Sequence, residues 1–366
     1  MIRKTSHQIP SDSPVCPLYK DAKERARWKE LQNEYNLMDA RCGHVINYLC
    51  ENIDGNIRPG SAQAYSCRLN RFSDYIYNDE LTVCTAEMQH VHSFFNMLCD
   101  EGKRKNTLLG YRTSLKNIYR FIDVHFDDEL NLEWYNIDEF IKPSQYPTLP
   151  PIERRSISAE EVKLLMDNLC SLRDRLIARI VLEHGLRCSD LQKLKVSNIN
   201  LDENRIVFYN TKSRIWQRAK INDELALELR HWLEVGRNSS LVDPENEYLL
   251  PGTGKKHLSK TCLNEAIVEA AENAGIQEII GKVKLTGAQR PTFSHNREYR
   301  VFHRVTLHTL RHTFNQLMID AGVPREARSA AMGHSSTETT KKYYEHNEED
   351  YEELVAELFP GLQLGV

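Results

Sequence analysis

Four prolines crowded into nine residues, Pro143, Pro147, Pro150 and Pro151, decide how this chain can fold. Proline has no backbone N–H to donate and its ring clashes with the preceding turn, so neither a helix nor a sheet ladder runs through such a stretch. With 366 residues the chain can build two ordinary domains with their own cores, and the proline segment is where they divide. The expected organisation is an N-terminal arm over 1–34, a helical domain over 35–142, a linker over 143–155, a second domain over 156–347 and a tail over 348–366.

Apolar residues recur at helical spacing three times in the first half. Residues 61–76 carry Ala64, Tyr65, Leu69, Phe72 and Ile76, and residues 91–98 form a second stretch, closed by Gly102. Residues 107–122 carry Leu108, Tyr111, Leu115, Ile118, Tyr119 and Ile122. A further helix is expected over 22–52. Past the linker, Ser158 and Glu161 have the spacing of a capping box that opens a helix. Only one island leans to strand: 196–199, 205–209 and 216–221, separated by turn residues, predict a three-stranded antiparallel sheet. Residues 276–305, with Gly281, Gly287, Pro291 and the bases Arg290, Arg297, Arg300 and Arg304, read as an irregular or hairpin insertion. The fold class is therefore mainly α with a small antiparallel β-sheet, in two domains.

A net charge of −4 argues, by itself, against a nucleic-acid partner. The charge is unevenly placed, however. Residues 345–357 hold seven acids and no Lys or Arg, so the remainder of the chain is basic. Lys103, Arg104, Lys105, Arg112, Lys116 and Arg120 fall in one acid-free stretch that could neutralise phosphates, or could equally be a solvated helix face. No apolar run is long enough to span a bilayer, and the N-terminus lacks the apolar centre of a signal peptide. The nine cysteines are scattered without a CxxC pair, the pattern of free thiols in a reducing, cytoplasmic setting.

Four short patterns carry chemistry. In Gly185-Leu186-Arg187-Cys188-Ser189-Asp190-Leu191, a helix over 172–183 stops at a glycine. Ser189 and Gln192 then have capping-box spacing for the next helix, so Arg187 is expected at a helix start with Asp190 able to hold its guanidinium. In Thr306-Leu307-His308-Thr309-Leu310-Arg311-His312, Thr306 is a candidate N-cap and Gly322 the stop. His308 and Arg311 sit i, i+3, so an imidazole and a guanidinium could act on one phosphoryl group. His308 and His312 sit i, i+4, a zinc-like spacing, but the HExxH pattern fails because residue 309 is Thr. In Gly333-His334-Ser335-Ser336-Thr337-Glu338-Thr339-Thr340-Lys341-Lys342-Tyr343, a glycine ends one helix, and Ser336 or Thr337 can cap the next, which carries Tyr343. A phenol needs a base or a strongly positive site to attack at neutral pH. Lys212, in the turn between the second and third expected strands, could serve as a general acid.

Taken in order, Arg187, Lys212, His308 with Arg311, His334 and Tyr343 give this chain a clear likeness. It resembles the tyrosine site-specific recombinase, or phage integrase, family, whose catalytic set is Arg, Lys, His-x-x-Arg, His or Trp, and Tyr. Residues 185–191 match the family's first arginine box, 308–314 (HTLRHTF) its second and 332–343 (MGHSSTETTKKY) its third. The first half, with Ala64, Tyr65, Arg68, Leu69 and Phe72, and then Thr107, Tyr111, Leu115 and Tyr119, is similar to the family's core-binding domain.

The resemblance implies a two-domain clamp on double-stranded DNA carrying specific recombination sites, with Lys103, Arg104, Lys105, Arg112 and Lys116 against the duplex. It implies Tyr343 as nucleophile, Arg187 and Arg311 as phosphate clamps, His308 as proton acceptor, His334 as a hydrogen-bond donor and Lys212 as acid. Neither metal nor ATP nor any other cofactor is implied. Tyr344 and Lys220 remain alternatives to Tyr343 and Lys212. The tail places Tyr351, Leu354, Val355, Leu358 and Phe359 on one helical stripe, which could pack on its own domain or dock into a neighbour in a homo-tetramer. The competing reading is a DNA-binding protein descended from such an enzyme that has lost its chemistry.

Overall fold

Leu69, Phe72 and Ile76 fall on one stripe of helix α1 (Pro59–Tyr77) and lose all contact with solvent. They pack against Val91, Phe94, Phe95 and Leu98 of α2 (Met88–Asp100) and Leu108, Leu115, Ile118 and Tyr119 of α3 (Lys105–Phe126). The computed structural model describes residues 59–77, 81, 83, 85–126, 132–153, 155–213, 215–284, 298–333 and 348–362, and its chain divides into two units, 1–151 and 152–366. The helix expected over 22–52 lies outside the described residues.

The first unit extends into the proline segment. Pro143 and Tyr146 are buried in its core, the Tyr146 ring lying 5.5 Å from that of Phe95 and its hydroxyl 2.7 Å from His92 Nδ1. Arg104 donates to the Pro150 carbonyl. Regular structure here is limited to a single 3₁₀ turn at Pro143–Gln145, and the large apolar area of a tyrosine docks the chain. Pro143, Tyr146 and the Pro150 carbonyl thus attach part of the expected 143–155 linker to the first unit, and the two units divide within it, after Pro151.

The second unit opens as expected. Ser158 Oγ accepts from the Glu161 N–H, and the Glu161 carboxylate accepts from the Ser158 N–H, starting α4 (Ala159–Asp167). Helix α5 (Leu172–His184) is buried all round from Leu176 to His184. It runs through the centre, and Arg179 on it is 1% exposed. Its guanidinium is held by Glu183, Glu224 and Glu228 at 2.5, 2.9 and 3.1 Å. A buried charge is tolerable only with partners of this kind.

After α6 (Cys188–Gln192) come β1 (Ile199–Asn200), β2 (Arg205–Asn210) and β3 (Ile215–Lys220), in antiparallel order β1-β2-β3. The first strand is shorter than expected. Residues 196–198 form a single 3₁₀ turn, closed by the Lys195 N–H donating to Asn198 Oδ1. Helices α7 (Asp223–His231), α8 (Lys260–Asn273) and α9 (Leu307–Asp320) pack on α5. The insertion over 276–305 contains a hairpin, β4 (Ile279–Lys284) with β5 (Tyr299–His303). Its central residues lie outside the described ones.

The chain closes with α10 (Arg325–Ala331) and the tail helix α11 (Glu348–Leu358). Tyr351, Leu354, Val355 and Phe359 cover Phe314, Met318, Val323, Ala327 and Met332 of the same unit, while Leu358 of the expected stripe stays exposed. Arg205 on β2 pairs with Glu352 at 3.2 Å. The fit is incomplete: a cavity of about 310 Å³ remains between β3, α10 and α11, lined by Phe208, Trp216, Ala327, Val355 and Phe359 among others.

Candidate active site

Two arginines reach one place because a break in the chain at Gly185 lets α9 pack closely against it. The left-handed Gly185 (φ +62°) ends α5, and a Cβ at this position would lie 2.3 Å from the Phe314 ring of α9. Only glycine permits so close an approach of the two helices. Arg187 follows as the N-cap residue of α6, and Arg311 faces it from α9.

Arg311 is 6% exposed and donates to the carbonyls of Gly185 and, at 2.7 Å, Met332. Arg187 is partly exposed, and its Nη1 donates to Asn210 Oδ1 at 2.6 Å. Asp190 Oδ2 lies 3.8 Å from the same nitrogen. Burial, together with the charge of Arg187, holds the Arg311 guanidinium down at about 10, while Asp190 works in the opposite sense. Two cations thus share the neighbourhood of one carboxylate. Asp190 is itself occupied, accepting from the Thr211 N–H at 3.2 Å and the Thr211 hydroxyl at 2.6 Å. Such a place favours an anion.

The expected capping box at Ser189 and Gln192 is absent. The helix starts earlier, at Arg187, and Ser189 Oγ points to Asp190 at 3.3 Å. Gln192 is buried and donates to the Leu258 carbonyl at 2.8 Å. A helix of five residues also supplies little dipole, so the positive character here comes from the guanidinium groups.

Asn210 is the residue that motif reading missed. Inward positions of β2 alternate as Ile206, Phe208 and Asn210, so a polar amide occupies the last core-facing position. Its Oδ1 accepts from Arg187, from the Lys212 N–H and from the Ser213 N–H, the last two at 3.2 Å. Its Nδ2 donates to Gln217 Oε1 at 2.8 Å and to the Gly333 carbonyl at 3.4 Å. Gln217 in turn donates to the Ala330 carbonyl at 2.7 Å. One amide therefore ties Arg187, the turn bearing Lys212 and the residue before His334 together. Gly333 is left-handed (φ +59°) and a Cβ there would lie 1.9 Å from Asn210 Nδ2. A polar residue ending an otherwise apolar strand face was the only signal in the sequence.

Lys212 sits exposed in the β2–β3 turn. Lys220 stands at the far end of the same hairpin, opposite Arg205, and 3.5 Å from Glu353. Five strand residues separate it from the turn end of β3, roughly 17 Å. Thr306 caps α9 as expected, accepting from the Thr309 N–H. His308 is exposed on α9, where its Nε2 is hydrogen-bonded to that of His312 at 3.1 Å. His334, Tyr343 and Tyr344 lie outside the described residues.

In the first unit the basic stretch is partly neutralised. Lys103 lies 3.5 Å from Glu101, while Arg112, at 3.3 Å, and Lys116 both pair with Asp138. Asp138 comes from beyond the acid-free stretch, so the sequence run alone overstated the free charge. Lys105 is exposed at the start of α3.

The profile of the family described as "Phage integrase family" matches residues 155–350. Tyrosine recombinase XerD of Haemophilus ducreyi is 24% identical over 76% of this chain and 84% of its own length. Tyrosine recombinase XerC of Leptospira interrogans is 24% identical over 86% of this chain and 91% of its own. Among solved structures, XerH site-specific recombinase bound to a palindromic difH substrate superposes with a TM-score of 0.58 at 17% identity, covering 94% of this chain and 91% of that one. The structural likeness at that identity speaks for the fold.

Proposed function

This chain belongs to the phage integrase family, the tyrosine site-specific recombinases, and from that premise we propose that it cuts and rejoins duplex DNA at specific sites through a 3′-phosphotyrosyl link. The observation that carries the reading is the pairing of Arg187 and Arg311 around a single, already engaged carboxylate. That arrangement suits one phosphodiester, whose non-bridging oxygens the two guanidinium groups hold while charge builds in the transition state.

Tyr343 Oη attacks phosphorus, and the bond from phosphorus to the 5′-oxygen breaks. His308 takes the phenolic proton, Lys212 gives one to the departing oxygen, and His334 donates a hydrogen bond to the phosphoryl group. One phosphodiester is exchanged for another, so the step stores its energy and requires neither ATP nor a metal. A 5′-hydroxyl from a partner duplex reverses the step and completes strand exchange. The position of Lys212, tied through Asn210 to Arg187, supports it over Lys220, which lies at the other end of the hairpin.

Lys105, with Lys103, Arg104, Arg112 and Lys116, faces the phosphate backbone from the first unit. The active assembly is a homo-tetramer on two DNA sites, with α11 docking on a neighbour. Because the helix packs on its own unit through Tyr351, Leu354, Val355 and Phe359 here, such docking requires it to exchange that surface for the neighbour's. The setting is the cytoplasm, in keeping with the free thiols Cys67, Cys99, Cys170, Cys188 and Cys262 among the described residues. No described helix is long and apolar enough to cross a membrane.

A nicked suicide substrate incubated with EDTA tests the proposal. A covalent adduct should appear on a denaturing gel, vanish in Tyr343→Phe and persist in Tyr344→Phe. An adduct that requires magnesium, or none at all, refutes the mechanism; the latter result leaves a DNA-binding protein without chemistry.

A further inference from the structure

We infer that His308 and His312 form a two-imidazole chelate for a transition-metal dication such as Zn²⁺, and that the metal reversibly inhibits the strand-transfer site by occupying the imidazole that would take the tyrosine proton. The inference rests, for its consequence, on the role given to His308 above.

The two side chains leave the same face of α9 one turn apart. Their rings lie 4.5 Å apart at 72°, and their Nε2 atoms 3.1 Å apart. Zinc binds imidazole nitrogen at about 2.0–2.1 Å, so two nitrogens on one tetrahedral ion are roughly 3.3 Å apart. The two nitrogens now share a proton in a hydrogen bond, which the ion would replace with a small side-chain adjustment. Both rings are exposed, so a hydrated ion can reach them and keep water in its other positions.

A permanent structural or catalytic zinc wants three or four protein ligands. Among the described residues no group of three or more His, Cys, Asp or Glu is placed to hold a metal. Arg311, on the same helix, also disfavours a dication. A two-ligand site in cationic surroundings binds weakly and exchanges, which suits an inhibitor and does not suit a cofactor. The consequence for the reaction follows from the lone pair. A nitrogen that has given it to a metal cannot accept a proton, so Tyr343 loses its acceptor while DNA contacts elsewhere are untouched.

Two measurements on the full chain decide the matter: calorimetric titration with zinc chloride alone, and adduct formation on the suicide substrate at graded zinc. His312→Gln removes one ligand of the chelate and leaves His308 in place. Zinc should slow adduct formation in the unaltered protein, and EDTA should restore it. With each protein referred to its own metal-free rate, the half-inhibiting zinc concentration in His312→Gln should rise on the order of a hundredfold as chelation is lost. The variant should also lose one zinc equivalent in the titration. Equal inhibition of the two proteins by zinc, or identical titrations, overturns the inference. A metal-free protein that forms no adduct sinks the strand-transfer reading instead, and the titration difference still decides whether the chelate exists.

Discussion

Replacing Asn210 by Leu keeps the size of a core-facing residue and removes every hydrogen bond that joins Arg187, the Lys212 turn and Gly333. Arg187 loses a charge-assisted bond of 2.6 Å, a class of contact contributing about 1.5–3 kcal/mol. Gln217 Oε1 and the Gly333 carbonyl lose a donor, and the Lys212 and Ser213 N–H groups an acceptor. Because these groups relax together, the net destabilisation should be roughly 3 kcal/mol. For a unit of this size that lowers the melting temperature by about 6–12 °C. Chemistry should suffer separately. If Arg187 must be held for the transition state, freeing it raises the barrier by about 2–3 kcal/mol, a rate loss of roughly 30- to 150-fold. Affinity for DNA, spread over many phosphate contacts, should change by less than about threefold. The assay is single-turnover adduct formation at saturating protein, below the new melting range, beside a binding isotherm at fixed salt. Asn210→Asp keeps an acceptor for Arg187 and should recover part of the rate while still losing the Gln217 and Gly333 contacts. A Leu variant that cleaves within threefold of the unaltered protein would show that Asn210 is packing alone and that Arg187 is held by other means.

Gly185→Ala must place a methyl group against the Phe314 ring at a left-handed position, so equilibrium unfolding should show a loss of about 2–4 kcal/mol. Lys105→Ala should weaken DNA binding and reduce the salt slope of log K by about 1, whereas Asp138→Asn, which releases Arg112 and Lys116, should tighten binding at low salt. Burial raises the Glu183 carboxyl to about 7 against the pull of Arg179, and holds neighbouring His184 neutral, down at about 4. The folded state then binds the extra Glu183 proton between pH 4.5 and 7, so that group's contribution falls as pH rises through this window. The unfolded state binds the extra His184 proton between about 4 and 6.5, so that contribution rises with pH. The two slopes run in opposite senses over overlapping windows. Glu183→Gln should therefore unmask a stability that climbs from pH 4 to 6.5 in denaturant titrations, and a flat profile in that variant would contradict the assignment.

The readable parts of this molecule were those set by local rules. The prolines marked the division, the 3.6-residue periodicity of Leu69, Phe72 and Ile76 marked a buried stripe, and the Ser158–Glu161 box and the Thr306 cap fixed two helix starts. The small sheet followed from short strand-leaning runs separated by turn residues, and Arg187 and Arg311 from boxes whose residue order is itself the signal. What could not be read depends on distant partners. Tyr146, within the expected linker, docks because Phe95 and His92 offer it a place. Gln192 turned from helix capping to a loop carbonyl 66 residues away in sequence.

Asn210 shows most clearly why a site is less legible than a fold. Its neighbours in sequence say only that a strand ends in a turn. Its work comes from contacts spanning 23 residues to Arg187 and 123 to Gly333, which no local pattern encodes. The residues that touch a substrate are constrained by chemistry and form recognisable boxes. Those that hold the boxes together are constrained by geometry alone, and several side chains could meet that constraint on a different backbone. An amide is suited here because it must accept from a cation and two N–H groups on one side and donate to two oxygens on the other. A carboxylate or hydroxyl at the same position would leave one of those sides without a partner.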